Sequence, residues 1–336
     1  MKFYKILFFS SLIIGSLISI SSMTWVGMWM GLEINLLSII PLMNSNKNLF
    51  ASEASLKYFI TQALASTTLL FSIILMMNVS SWIYSPQSNL ILMFNSALLT
   101  KMGAAPFHFW FPEIIEGLSW MNCLILLTWQ KIAPMIIFMY NLNFPWFIVT
   151  IVILSMLVSG IMGFNQTSIR KILAYSSINH IAWMLASMFS METIWLIYFL
   201  IYSIISINII LIFNLMNIFY LKQLFISMNN NTPMKFFFIT NFLSLGGLPP
   251  FLGFMPKWMT IENLIENNFF LLTLTMVILT LLTLYFYVRL MFSTLTINMS
   301  EPNFILQPKY NQFWILLSNY ISILGLLTCT MIFNVI

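Results

Sequence analysis

The chain has 336 residues, of which 60% are hydrophobic and 6% charged, with a formal net charge of +5 and two cysteines. Roughly a quarter of an ordinary soluble domain is charged, so this chain lacks the material for a water-facing surface and reads as an integral membrane protein. Cys123 and Cys329 stand far apart without CxxC spacing, which argues against a disulfide framework or an iron–sulfur site and leaves both as packing residues.

A spanning helix needs about 20 apolar residues and satisfies its own backbone in lipid. The apolar runs are too long, and alternate too little, for barrel strands, so the expected fold is an all-α polytopic membrane protein. Eleven spans are predicted, at 3–22, 24–43, 52–78, 88–109, 114–140, 145–163, 170–189, 192–221, 235–265, 269–293 and 311–333. The first, MKFYKILFFSSLIIGSLISISS, is too long in its apolar part for a signal peptide and lacks the Arg-rich character of a transit peptide. The longest linker, about 295–310, leaves no room for a soluble catalytic module.

With eleven alternating spans, Lys2, Lys5, Lys47, Lys57, Arg170, Lys171, Lys222, Lys235, Arg289 and Lys309 all fall on the side of the N-terminus. By the positive-inside rule that side is the cytoplasm or an organelle matrix, and the C-terminus lies opposite. The positive charge therefore reports orientation, and nothing points to nucleic acid as a partner.

Three basic residues escape this rule. Lys101 sits in the fourth span, Lys131 in the middle of the fifth and Lys257 in the ninth, while Glu33 lies near the centre of the second. An ionisable group at that depth costs about 2.5–3.5 kcal/mol on insertion scales, so it normally faces protein or a hydrated cavity. The competing reading is a helix-to-helix contact or a snorkelling lysine, which is hardest to sustain for mid-span Lys131 and Glu33.

Two of the three lysines accompany a broken helix. The fourth span reads LLTKMGAAPFHFWFP, with Lys101 five residues before Pro106; the ninth reads LGGLPPFLGFMPKW, with Lys257 seven after Pro250. Pro106, Pro249 and Pro250 remove backbone donors, freeing carbonyls that hold water beside the lysine; a packing kink is the plainer alternative. If residues 1–140 and 145–293 are two five-helix repeats, followed by a linker and final helix over 294–336, the breaks occupy matching fourth positions. An odd span count inverts the second copy, and interrupted helices at matching positions of inverted repeats point to a transport site. A buried lysine exchanges its proton readily when a neighbouring carboxylate moves or is neutralised, so Glu33, Lys101, Lys131 and Lys257 are candidates for a proton relay. His180, within SSINHIAWML, is a candidate bridge between Lys131 and Lys257, or a hydrogen-bonded interior histidine.

Several stretches carry a family resemblance: GLEINLLSIIPLM around Glu33, SEASLKYFITQALAS at 52–66, KMGAAPFHFWFPEIIEG at 101–117, LTWQKIAP at 127–134, NQTSIRKILAYSSINH at 165–180 and LSLGGLPPFLGFMPKW at 243–258. They closely resemble the antiporter-like membrane subunits of respiratory NADH:ubiquinone oxidoreductase, complex I, and among these the subunit 2 family of mitochondria. The resemblance spans nearly the whole chain. It implies two inverted five-helix repeats, without the first three helices of the longer bacterial form, in the mitochondrial inner membrane. It implies that Glu33 and Lys101 form the ion pair of a first half-channel, Lys131 a connecting site and Lys257 the exit-side lysine. It also implies no cofactor in this chain, with NADH, flavin, iron–sulfur clusters and ubiquinone handled by other subunits. The partners implied are the other membrane-arm and accessory subunits, with lipid or a neighbour sealing the flank of the missing helices. Richness in Phe, Ile, Met and Asn with no aspartate fits an AT-rich organellar genome.

Three functions follow for testing: a proton-translocating subunit of complex I, an independent cation/proton antiporter, and a structural membrane module whose neighbours pump. A stand-alone enzyme fits worst, for want of a nucleotide-binding glycine motif or a metal-ligand cluster. Glu113 and Glu116, after Pro112 on the basic side, are expected to be carboxylates favouring a helix N-terminus.

Overall fold

The computed structural model describes residues 3–44, 48–79, 87–189, 191–229, 232–249, 251–296 and 319–320. Among these the regular structure is helical, apart from one isolated bridge between Ser168 and Tyr220. The chain divides into two compact units, Met1–Leu154 and Ser155–Ile336.

The first unit begins with α1 (Phe3–Ser21), α2 (Trp25–Met43), α3 (Leu49–Val79) and α4 (Gln87–Met102). Shorter pieces follow: α5 (Trp110–Gly117), α6 (Trp120–Leu127) and α7 (Trp129–Met139), then α8 (Pro145–Gly163), which crosses the boundary. The second unit continues with α9 (Ile169–Ser187), α10 (Glu192–Met216), α11 (Leu221–Asn229), α12 (Thr232–Gly246), α13 (Phe254–Glu266) and α14 (Phe270–Thr296).

Seven stretches among the described residues are long and apolar enough to cross a membrane: α1, α2, Leu49–Asn78, Trp120–Met139, α8, α10 and α14. The expected fourth, seventh and ninth spans do not qualify. These are the segments that carry Lys101, the polar α9, and the broken stretch around Lys257. The expected linker at 295–310 and eleventh span at 311–333 lie almost entirely outside the described residues, as does Pro250.

Serine and threonine are tolerated in these helices because their hydroxyls donate back to the preceding turn. Ser16 bonds the Ile13 carbonyl at 2.8 Å, Ser72 that of Leu69 at 2.7 Å and Thr294 that of Met291 at 2.8 Å. Large apolar side chains such as Ile14, Leu17, Phe71, Leu200 and Leu281 point outward, as a lipid-facing surface requires.

The helix ends follow local chemistry. At the start of α2 the Thr24 hydroxyl accepts from the Gly27 amide at 3.2 Å, a side-chain cap. Gly103 ends α4 with φ +77, and the Ala104 amide reaches back to the Leu99 carbonyl at 3.1 Å. Gly247 ends α12 with φ +72, and the Leu248 amide bonds the Leu243 carbonyl at 3.3 Å. Both are left-handed glycine stops. The fourth and ninth expected spans thus break at glycine, ahead of Pro106 and Pro249, because glycine alone turns left-handed without cost.

The expected continuous fifth span is also broken, at 118–119 and at Thr128, whose φ/ψ of −115/−71 separates α6 from α7. Pro134 within α7 cannot donate to the Gln130 carbonyl, which loosens the turn that follows Thr128. The expected eighth span stops early, at Asn217 in the left-handed region (φ 51), and α11 is a separate helix.

α1 and α2 cross at glycine. A Cβ on Gly31 would lie 2.5 Å from the Ser19 nitrogen and 2.7 Å from its Cα, and one on Gly15 2.9 Å from the Asn35 nitrogen. Such backbone-to-backbone approach is the usual device for joining helices in lipid. Gly31→Ala is expected to cost about 1–3 kcal/mol through overpacking, read as a lower melting temperature of the solubilised protein; an unchanged value would show that the crossing bears no load.

Candidate functional site

In the first unit Lys101 occupies the last turn of α4, buried, two residues before the Gly103 stop. It lines a cavity of ≈10 Å³ with Asn35, Tyr58, Gln62 and Gln130, about the space of one water. Gln130 Nε2 donates to Asn35 Oδ1 at 2.8 Å, the Tyr58 hydroxyl donates to Gln130 Oε1 at 3.4 Å, and Gln62 Nε2 donates to the Lys101 carbonyl at 3.4 Å. Glu33, half-buried on α2, keeps one carboxylate oxygen buried without a hydrogen-bond partner. It makes no direct ion pair with Lys101 among the described residues.

Lys131 is 1% exposed, the third residue of α7 after the Thr128 break. Its ammonium lies 5.7 Å from the Phe111 ring centroid, a cation–π distance. A Cβ on Gly103 would come 3.3 Å from the same phenylalanine, so the α4 stop rests on the ring that carries Lys131. At the end of this unit Lys57 sits 3.0 Å from both Glu53 and Glu113. Glu113 occupies the first turn of α5, as its position after Pro112 leads one to expect, and joins that turn to α3.

In the second unit the Lys257 ammonium donates to the Gly246 carbonyl at 2.8 Å and the Leu245 carbonyl at 3.4 Å. It therefore sits on the open C-terminal end of α12, where the helix dipole places partial negative charge. The freed carbonyls expected to hold water are held by the lysine itself. Its ammonium also lies 5.8 Å from the Trp183 ring centroid. His180 Nδ1 pairs with the Tyr198 hydroxyl at 2.9 Å, and its ring lies 4.9 Å from that of Tyr202; the donor in the first pair depends on the tautomer.

Of the four residues expected to carry function or break a helix in the first unit, Lys101, Pro106 and Lys131 lie on α4, the segment after it and α7, and Glu33 stands on α2. His180, Pro249 and Lys257 belong to the second unit. The amides Asn35, Gln62 and Gln130 and the phenol of Tyr58 were not anticipated; their only signal was neutral polarity in apolar helices. His108, buried in the segment after Gly103 with Nδ1 lacking a partner, was likewise not singled out. Among the described residues no three His, Cys, Asp or Glu side chains gather as a metal site. Cys123 is buried against the Ile115 carbonyl at 3.6 Å; Cys329 lies outside the described residues.

Interrupted helices with buried lysines beside them recur in both units of this polytopic membrane protein. A family model described as "NADH:quinone oxidoreductase/Mrp antiporter, TM" matches residues 22–283. A chain of respiratory complex I from Thermus thermophilus shares the fold with a TM-score of 0.87 at 22% identity, over 97% of this chain and 79% of that one. A chain of the Mrp complex from Dietzia sp. DQ12-45-1b does so at 0.78 and 17%, over 87% and 60%. The NADH-ubiquinone oxidoreductase chain 2 of Anopheles gambiae is 52% identical over 337 residues, 97% of each chain. That of Lemur catta is 40% identical over 292 residues, 84% of this chain and 83% of its own. The chain belongs to the NADH-ubiquinone oxidoreductase chain 2 family.

Proposed function

We propose that the chain translocates protons as a multi-pass subunit of respiratory complex I in the mitochondrial inner membrane, coupling electron transfer from NADH to ubiquinone to proton movement. One observation carries this reading: each of the three buried lysines lies within ten residues of a helix interruption, Lys101 before Gly103, Lys131 after Thr128 and Lys257 after Gly247. A buried charge beside opened backbone is the arrangement that membrane proteins keep for ion handling. In this reading the chain has eleven spans, with 1–140 and 145–293 as inverted five-helix repeats and 294–336 as a linker and closing helix. The N-terminus faces the matrix and the C-terminus the intermembrane space.

Glu33 and Lys101 serve as an electrostatic switch, Lys131 as the connecting site and Lys257 as the lysine of the second repeat, with His180 as bridge. The cavity amides position water at Lys101. NADH, flavin, iron–sulfur clusters and ubiquinone are handled by neighbouring subunits, and lipid or a neighbour covers the flank that lacks helices. The test is assembly. After gentle solubilisation the chain is expected to migrate only with a large NADH-oxidising complex; a chain that is isolated alone and exchanges cations for protons in vesicles would establish the antiporter instead.

A further inference from the structure

Helices α9 and α14 present two facing stripes in the second unit. On α9, Ile172, Ser176, Asn179 and Trp183 share a face; on α14, Thr283, Phe286, Tyr287 and Leu290 do. At the end of these stripes an open cavity of ≈370 Å³ is lined by Asn165, Gln166, Thr167, Arg289 and Ser293, with Phe286 among its apolar walls. Arg170, Lys171 and Lys222 lie on the segments around it, so it opens at the basic end of the unit.

Further in, Asn179 Nδ2 donates to Thr283 Oγ1 at 3.3 Å. Three buried polar atoms make no hydrogen bond of ordinary geometry: the Tyr287 hydroxyl, which faces the Ser176 side chain, Asn179 Oδ1 and Trp183 Nε1. All three side chains are 1% exposed. A buried polar atom left unbonded costs about 1–3 kcal/mol, and ordered water is its usual partner. These atoms are not scattered. Trp183 is the ring beneath the Lys257 ammonium. The Tyr287 ring flanks Gly246, where a Cβ would lie 3.7 Å from Tyr287 Cδ2, and the Gly246 carbonyl holds that ammonium. From Ile172 at the cavity wall to Trp183 the stripe rises about 16 Å along α9.

We infer that this cavity is an aqueous vestibule, and that a water-bridged column of Tyr287, Thr283 and Asn179 carries protons between it and Lys257. The inference rests on the proton-translocating reading and extends it, since it gives Lys257 a route to the basic side as well as the exit side. A hydronium ion in the vestibule gives a proton to the Tyr287 oxygen as the phenolic proton leaves to water on the far side. That water protonates the neutral Lys257 amine, and the phenol is restored. Ile172, Phe286 and Leu290 are apolar members of the vestibule wall on the same helix faces as the column, so wetting past them is the controlled step.

The test uses the intact complex in sealed vesicles. Tyr287→Phe removes one hydroxyl and keeps the ring; it is expected to lower the proton-to-electron ratio as far as Lys257→Met does. A ratio unchanged by Tyr287→Phe but lowered by Lys257→Met overturns the column and leaves the pumping reading intact, whereas a ratio unchanged by both overturns that reading. Should the Tyr287→Phe complex fail to assemble, Thr283→Val is judged by the same comparison. Independently, Ser293→Cys is expected to react with a membrane-impermeant maleimide from the matrix face; an unreactive thiol there rejects the vestibule.

Discussion

Replacing Lys131 with methionine is expected to leave the complex assembled and to lower the number of protons moved per electron. Methionine has nearly the length and volume of lysine and fills the same space on α7 without a charge. An ionised group at 1% exposure is stabilised only by what surrounds it, and here that includes the Phe111 ring face. Its removal forfeits a cation–π contact of about 0.5–2 kcal/mol but also removes a desolvation cost of similar size or larger, so folding stability changes little. Proton transfer changes greatly. A positioned acid or base is worth about 10²–10⁴-fold in rate, so flux through the first unit should fall by at least ~100-fold. The measurement is the proton-to-electron ratio of the purified variant in vesicles. An assembled complex with an unaltered ratio would show that Lys131 is a packing residue and that neighbouring subunits pump.

Gly247→Ala is expected to be as damaging as removing Lys257 outright, although it leaves the lysine in the chain. The backbone at 247 has φ +72, which costs an alanine about 1–2 kcal/mol. The added Cβ would also lie 2.6 Å from Lys257 Cδ and 2.8 Å from Nζ. The side chain must leave, and the Leu245 and Gly246 carbonyls lose their cation. Gly246→Ala is the control, because its Cβ meets Tyr287 at an ordinary 3.7 Å and its backbone is helical. The expected pattern is a lowered proton-to-electron ratio and lowered thermal stability for Gly247→Ala, with little change in either for Gly246→Ala. Equal behaviour of the two variants would show that the lysine is not held where the α12 carbonyls are.

The contrast between those neighbouring glycines shows how far sequence reading reaches. Long apolar runs announce α1, α2, α3, α8, α10 and α14, because a lipid-exposed surface demands them over a full bilayer thickness. The Gly/Pro cluster in LSLGGLPPFLGFMPKW announces a break, but which residue turns the chain depends on backbone angles that composition does not carry. The Thr128 interruption is invisible by the same reading, since threonine is no helix breaker and the proline that loosens the turn stands six residues later. The expected eighth span runs on to 221 because Asn217 is a weaker punctuation mark than glycine, and α11 falls in the stretch read as a linker beyond it. Charged residues in apolar helices stand out at once, whereas Asn35 and Gln130 become partners only when chain segments 95 residues apart meet. Glu33 and Lys101 were legible as candidates, yet the absence of direct contact between them is a matter of side-chain placement that spacing does not report.

The Lys257 ammonium docks on main-chain oxygens, and this has a consequence for mutational drift. A codon change that swaps the Leu245 side chain leaves its oxygen in place, so the docking point tolerates varied spelling on α12. Length is another matter. Eleven positions separate Lys257 from Gly246, and a single-codon insertion or deletion between them would shift the amine off its seat even if every remaining letter were kept.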